Sequence, residues 1–377
     1  MTNLTALRIW VNKRLVNIPG WKTSEKLIVI ESDDWGAIRM PSVEVLRKMQ
    51  TCGISVDDPF SSLDSLESND DLERLFELLS SKKDNFECNP IISANCVVAN
   101  PDFQRIQESD YTQYFFELIT ETFRRYPNHD KSFNLWKKGL ENNIFFPQYH
   151  GREHLNVAQW MDQLKKGNRD YKVAFSFNTY SINSKEAGEK RNNLLAALDY
   201  NSAAQKQRVN ESVVEGLEIF ESLLGIKSDA FTPPCNVWGS DTEELLSMKG
   251  VKHIKSSKTQ NIPKPGYMNY SRGYHYIGQR NKFGQHYQIR NCLFEPALNP
   301  KVDWVDACMK SIEVAFSWHK PAIISCHRLN FIGSLNHANR RDNLILFDRL
   351  LTGIIKKWPD VRFVDSATLG EKIMSCK

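Results

Sequence analysis

Along the chain, short runs of apolar residues alternate with longer stretches in which apolar positions recur three or four residues apart. The short runs are Leu27 to Glu31, Pro90 to Val98, Ile144 to Tyr149, Val173 to Phe177, Ala230 to Thr232, Lys252 to Lys255, Ala322 to Cys326 and Val361 to Val364. Most are brief and rich in β-branched or aromatic residues, and they read as buried parallel strands. The stretches Asp71 to Ser80, Tyr111 to Arg125, Leu155 to Lys166, Val213 to Leu224, Trp304 to Trp318 and Asn343 to Lys357 read as helices. In the last of these, Leu344, Leu346, Leu350, Leu351 and Ile354 form one apolar face. Strand then helix, repeated about seven or eight times, predicts an α/β fold around a parallel sheet, either a barrel or a doubly wound sheet. A single barrel is the simpler expectation.

The 377 residues are enough to bury a large core. No repeat and no Pro/Gly/Ser linker divides them, so one domain is expected over 1–377, with an N-terminal helical extension over 1–25 and an inserted helical segment over 99–143. The 49 basic and 45 acidic residues are interspersed, leaving a net charge of +4 and no basic surface of the kind that binds nucleic acid. The first 20 residues lack the apolar run and cleavage site of a signal peptide, and no stretch is long and apolar enough to insert in a membrane. The eight cysteines are scattered, several in apolar runs, as reduced thiols are in a cytoplasmic protein. No feature specifies an oligomeric state.

In parallel α/β folds the reacting groups gather where strands end. The first strand runs into Ser32-Asp33-Asp34-Trp35. Two neighbouring carboxylates repel unless a cation lies between them, so a metal would resolve the conflict; loop capping is the other reading. The run ending at Tyr149 continues as His150-Gly151-Arg152-Glu153-His154. Histidines four apart can present two imidazoles to one ion if the backbone makes a helical turn, with zinc the usual guest; otherwise one caps a strand and the other lies on the next helix. Asp34, His150 and His154 would together supply three ligands and leave open positions. Later, Thr232-Pro233-Pro234-Cys235 makes a rigid turn whose following N–H could serve an oxyanion, and the run Ala322 to Cys326 ends at His327, a residue suited to donate a proton.

These residues, in this order, resemble the polysaccharide deacetylase superfamily, the carbohydrate esterases that include chitin and peptidoglycan deacetylases. Ser32-Asp33-Asp34 looks like the family's first motif and His150 to His154 like its second; Thr232 to Cys235 partly matches the third, and His327 the end of the fifth. The resemblance spans Leu27 to about Val364 and implies a distorted (β/α) barrel of roughly seven strands. It also implies a metal-dependent hydrolase that removes N- or O-linked acetyl groups from a saccharide or polysaccharide. Residue by residue, it makes Asp33 the general base, Asp34, His150 and His154 the metal ligands, His327 the general acid and Cys235 the oxyanion donor. Thr232 stands where the family carries arginine, Cys235 where it carries an aromatic residue, and no Asp-x-x-Asp-Trp fourth motif is present. The groups that orient base and acid are therefore missing or supplied from elsewhere. Trp35, Tyr149, Pro234, Trp238, Arg328 and Asn330 flank the site and are candidate sugar contacts, with packing at the barrel rim as the alternative.

Two other functions fit parts of the pattern. An inert carbohydrate-binding relative would explain the altered motifs. A zinc peptidase with His150-x-x-Glu153-His154 on a continuous helix would need a further ligand such as Glu215 or Glu218. The stretch from Tyr267 to Tyr287 reads as a long basic and aromatic loop.

Overall fold

The structure is a computed structural model, and it describes residues 15–182, 193–267 and 269–375; the first 14 residues of the expected N-terminal extension lie outside these. Nine strands make the main sheet: β1 (Lys26–Trp35), β2 (Ile92–Val97), β3 (Phe145–Gly151), β4 (Ala230–Phe231), β5 (His253–Ser256), β6 (His286–Ile289), β7 (Cys292–Leu293), β8 (Ala322–His327) and β9 (Val361–Phe363). Their order is β6-β5-β4-β3-β2-β1-β8-β7, with β9 attached to β1, and every pairing is parallel. Only Arg290 and Asn291 separate β6 from β7. The Arg290 N–H donates to the Ser256 carbonyl of β5 (3.1 Å), and the Asn291 N–H donates to the Ile323 carbonyl of β8 (3.2 Å). The two ends of the sheet are therefore halves of one broken strand. Counting that strand once, the sheet curls into a distorted barrel of seven strand positions.

Side chains alternate across a strand, and the barrel uses the two faces differently. Ile28, Ile30, Ile92, Ala94, Ile254 and Ile324 face outward into the main hydrophobic core. Helices Asn69–Ser80, Ala203–Leu224, Trp304–Ser317 and His337–Lys357 close that core from outside. Gly216, in the second of these, is required by close approach: a Cβ there would sit 2.0 Å from the Tyr149 hydroxyl. Inward-facing Leu27, Val29 and Ile323 pack with Leu369 and Ile373 of helix Ser366–Ser375, which plugs the lower lumen. Burying each of those side chains contributes about 1.5–3 kcal/mol. Above the plug the lumen turns polar, with Glu31, Ser93, Asn95, Lys255 and Gln288 all buried. Asp33 and His327 follow, opposite each other in the β1–β8 register.

Two expected elements differ. Val173 to Phe177 is no strand but the end of helix Arg169–Ser176, whose buried Tyr171, Ala174 and Phe175 follow helical spacing and whose start is capped by Asn168. An apolar run this short cannot be assigned from periodicity alone. Of the helix expected over Tyr111 to Arg125, only Ile119–Arg125 forms. Left-handed Asp110 (φ 50°) and Tyr111 (φ 58°) break it, and Phe116–Leu118 pairs instead with Ala99–Pro101. The stretch from Tyr267 to Tyr287 holds strand Ser271–Tyr274, paired antiparallel with Thr259–Ile262, and the start of β6.

Candidate functional site

Two β-bulges shape the upper rim. Ser32 lies opposite Ala94 and Trp35 opposite Cys96, so β1 carries one residue more than β2 across Asp33 and Asp34. In a regular strand these neighbours would point to opposite faces; the bulge and the left-handed backbone of Asp34 (φ 79°) bring both carboxylates to one cavity. That conformation costs a non-glycine residue about 1 kcal/mol. On the far side of β2, Cys96 pairs with Tyr149 and Val97 with Gly151, which leaves His150 as the extra residue. Gly151, at φ 135°, occupies a backbone region other residues avoid, and the chain bends there to bring His154 back. The two histidines meet through a bulge and a bend, not through the helical turn that their spacing suggests.

His150 Nε2 lies 3.5 Å and His154 Nε2 3.2 Å from Asp34 Oδ1. One ligand atom from each of the three residues falls within 4.8 Å of the others. His150 Nδ1 is 2.6 Å from the Thr232 carbonyl oxygen, which can only accept. Nδ1 therefore carries a proton, and Nε2, pointing toward Asp34, is buried and has no hydrogen-bond partner among the described residues. Burial depresses the His154 imidazole to about 3 despite the neighbouring Asp34 carboxylate, so it is neutral. Burial by itself would raise the Asp34 carboxyl, but His154, Arg39 and His150 together hold it well below the usual range. An ionised carboxylate and two imidazoles, all buried, fit a divalent metal ion. Arg39 Nη2 donates to Asp34 Oδ2 (3.1 Å), leaving Oδ1 for the histidine side.

The second carboxylate is held differently. Arg290, from the break between β6 and β7, clamps Asp33 through two contacts of 2.6 Å and donates from Nε to Glu31 Oε2 (2.8 Å). Asn95 Nδ2 adds a 2.6 Å bond to Asp33 Oδ1. Burial would raise this carboxyl; the Arg290 guanidinium outweighs it and keeps Asp33 well below the ordinary range. His327 Nε2 stands 3.9 Å from Asp33 Oδ2, while its Nδ1 is 2.6 Å from Glu295 Oε1. Burial would lower the imidazole, but the Glu295 carboxylate overcomes this and lifts it to about 10. Arg290 and Glu295 thus hold Asp33 and His327 in place where the motifs in the sequence are altered or missing. Their only signal was a charge at the end of each short apolar run, Tyr287 to Ile289 and Cys292 to Phe294.

A cavity of about 840 Å³ is lined by Asp33, Asp34, His150, His154, Cys235 and His327, and extends to Phe60, Leu293 and Trp304. Cys235 and Asn236 both adopt left-handed backbone (φ 55°) beside it. The expected sugar contacts lie elsewhere. Trp35 and Tyr149 belong to the outward core, with the indole N–H on Ser32 Oγ and the phenol on the Val213 carbonyl. Trp238 is buried and donates to Glu243. Arg328 is fully buried, paired with Asp64 and Glu67, and Asn330 donates to Glu295. Pro234 is buried too, and it is Pro233 that lines the cavity. Adjacency along the chain misled here, because alternation across a strand sends the next side chain to the opposite face. The peptidase arrangement is also absent. Residues 150–154 are not helical, Glu153 and Glu215 pair with Arg152, and Glu218 pairs with Lys249.

No family model matches this chain. No curated protein matches it either. Solved structures do. One is a protein described as a glycoside hydrolase/deacetylase from Parabacteroides distasonis (10% identity, 93% of this chain and 72% of that one, TM-score 0.48). Another is the 4-α-glucanotransferase of Thermococcus litoralis (8% identity, 94% of this chain, TM-score 0.44), of whose length this chain spans 40%. A third is a peptidoglycan deacetylase of Bacillus subtilis (9% identity, 93% and 92% covered, TM-score 0.31). At these scores the likeness says nothing of this chain's substrate. Proteins described as polysaccharide or peptidoglycan deacetylases recur among the matches.

Proposed function

We propose that this protein is a metal-dependent hydrolase that removes acetyl groups from a saccharide, with Asp34, His150 and His154 as metal ligands and zinc as the ion. The observation that carries this reading is the buried convergence of His150 Nε2 and His154 Nε2 on Asp34 Oδ1, beside a second carboxylate and a cationic histidine in the same cavity. A divalent ion held there supplies Lewis acidity for the substrate carbonyl and for water. Asp33 takes a proton from the attacking water at Oδ2, the oxygen that faces His327. As a bond forms from water oxygen to the acyl carbon, the Cys235 N–H donates to the developing oxyanion. His327, held cationic by Glu295, gives its Nε2 proton to the departing amine or alcohol as the acyl C–N or C–O bond breaks. The products are acetate and the deacetylated sugar.

The test is acetate release from N-acetylglucosamine oligomers and from O-acetylated oligosaccharides by the ion-loaded protein. Release that stops on chelation, returns with zinc and disappears in Asp33→Asn supports the reading. Release indifferent to chelation sinks it.

A further inference from the structure

Beneath Asp33 lies a buried pair that the mechanism has not used. Lys255, on β5, is fully buried in the polar part of the lumen and donates from Nζ to Asn95 Oδ1 (2.5 Å) and to Ser366 Oγ (3.4 Å). Asn95, on β2 and equally buried, donates from Nδ2 to Asp33 Oδ1 (2.6 Å). The amide has no freedom to turn over. Asp33, an ionised carboxylate, can only accept, so the NH₂ end must face it, and the Lys255 amine donates to the carbonyl end.

The consequence lies at the two oxygens of Asp33. Oδ1 receives Arg290 Nη2 and Asn95 Nδ2, both at 2.6 Å; Oδ2 receives Arg290 Nη1 at 2.6 Å and otherwise faces His327 Nε2 at 3.9 Å. With two donors on one oxygen and one on the other, the open lone pair of the carboxylate is on Oδ2, toward the cavity. A symmetric Arg290 clamp alone would leave the two oxygens equivalent and the ring of β1, β2 and β8 side chains to decide between them.

We propose that Lys255 and Asn95 are positioning residues that occupy Asp33 Oδ1 and so reserve Oδ2 for the proton taken from water. Neither touches substrate: Lys255 acts through Asn95, and Asn95 through Asp33. This rests on Asp33 being the general base of the proposed hydrolase. Because the metal ligands are separate residues, the pair affects turnover and leaves ion binding alone.

The experiment compares wild type with Asn95→Leu, Asn95→Ala, Lys255→Met and the double variant Asn95→Ala/Lys255→Met, reading kcat and KM for acetate release together with bound zinc per chain. Asn95→Leu keeps the approximate volume of the side chain while removing the donor to Asp33, so it separates the proposed role from loss of packing. Expected are falls in kcat of about 10- to 100-fold in each single variant, on the scale of a misaligned proton acceptor, with KM within about twofold and zinc content unchanged. The double variant is expected to be no slower than Asn95→Ala, since Lys255 acts only through Asn95. An active wild type whose kcat survives Asn95→Leu and Lys255→Met overturns the pair while leaving the hydrolase standing. Losses that add in the double variant, or that come with reduced zinc content, make the pair merely structural and overturn it too. A zinc-loaded wild type that releases no acetate from any acetylated sugar overturns the hydrolase and the pair together.

Discussion

Asp33 and Asp34 are sequence neighbours in one cavity, yet their surroundings are opposite in character. Asp33 meets three short donor contacts from Arg290 and Asn95, so its charge is met within the protein. Asp34 has Arg39 on one oxygen only; its other oxygen faces two imidazoles, each with a buried nitrogen, His150 Nε2 and His154 Nδ1, that has no hydrogen-bond partner among the described residues. A carboxylate already matched by protein cations is a poor metal ligand, whereas one with a guanidinium on one oxygen only, and imidazole nitrogens beside the other, can still take a cation. In the proposed mechanism the contrast separates a place for an ion from a place for a proton.

The sharpest way to break this contrast is to remove the ion side. Asp34→Ala and His150→Ala are expected to abolish binding of the one divalent ion per chain, read by metal analysis, and to lower turnover by more than about 10³-fold, because the Lewis acid is lost with it. Unchanged stoichiometry in both variants would contradict the ligand assignment. In the wild type, zinc at about 100 times its Kd should add about 2.7 kcal/mol of stability, visible as a rise in melting temperature that both variants lack.

Next in size is the proton side. Asp33→Asn should keep the ion and lose about 10²- to 10⁴-fold in kcat, the range associated with a general base. Equal loss of zinc in this variant would show that the two carboxylates share one function after all.

Glu295→Gln should cost less and change the pH dependence. Glu295 lifts His327 to about 10, so the acid form persists through neutral pH and is lost as pH rises through that value. Without the carboxylate the imidazole titrates at lower pH, and the alkaline limb of the rate profile should move down. A profile that stays in place would remove Glu295 from its orienting role. The linkage has the same sign for stability: a raised imidazole contributes fully below its unfolded value of about 6.5, and the contribution fades as pH climbs toward 10.

The smallest expected effect falls on the residues that sequence adjacency nominated. Trp35→Phe and Tyr149→Phe should change KM by less than about twofold, since both side chains pack in the outward core, and should instead cost about 1 kcal/mol from the lost hydrogen bond. A large rise in KM would return them to the substrate.

The parts of this molecule that could be read from its sequence are those written in local patterns. Apolar runs located β1, β2, β3 and β8, and the residues ending them supplied Asp33, Asp34, His150 and His327. What escaped was set by geometry between strands. A bulge leaves no mark in one sequence, so spacing offers only a helical turn as the way for His150 and His154 to meet, and residues 150–154 form none. β6 carries polar His286 and Gln288 and β7 is half of a strand broken by Arg290-Asn291, so neither reads as an apolar run, and with them went Arg290 and Glu295, which lie 257 residues from Asp33 and 32 from His327. Arg328 looked available for a ligand because nothing local shows that Asp64 and Glu67, more than 260 positions away, enclose it.

The dipeptide Arg290-Asn291 completes the ring by handing its N–H groups to β5 on one side and β8 on the other, and its arginine also settles the charge of Glu31 and Asp33. Closure of the barrel and neutralisation of its acidic centre are therefore a single act performed by two residues. A shift of one position at this joint would turn the guanidinium out of the lumen and open the wall together.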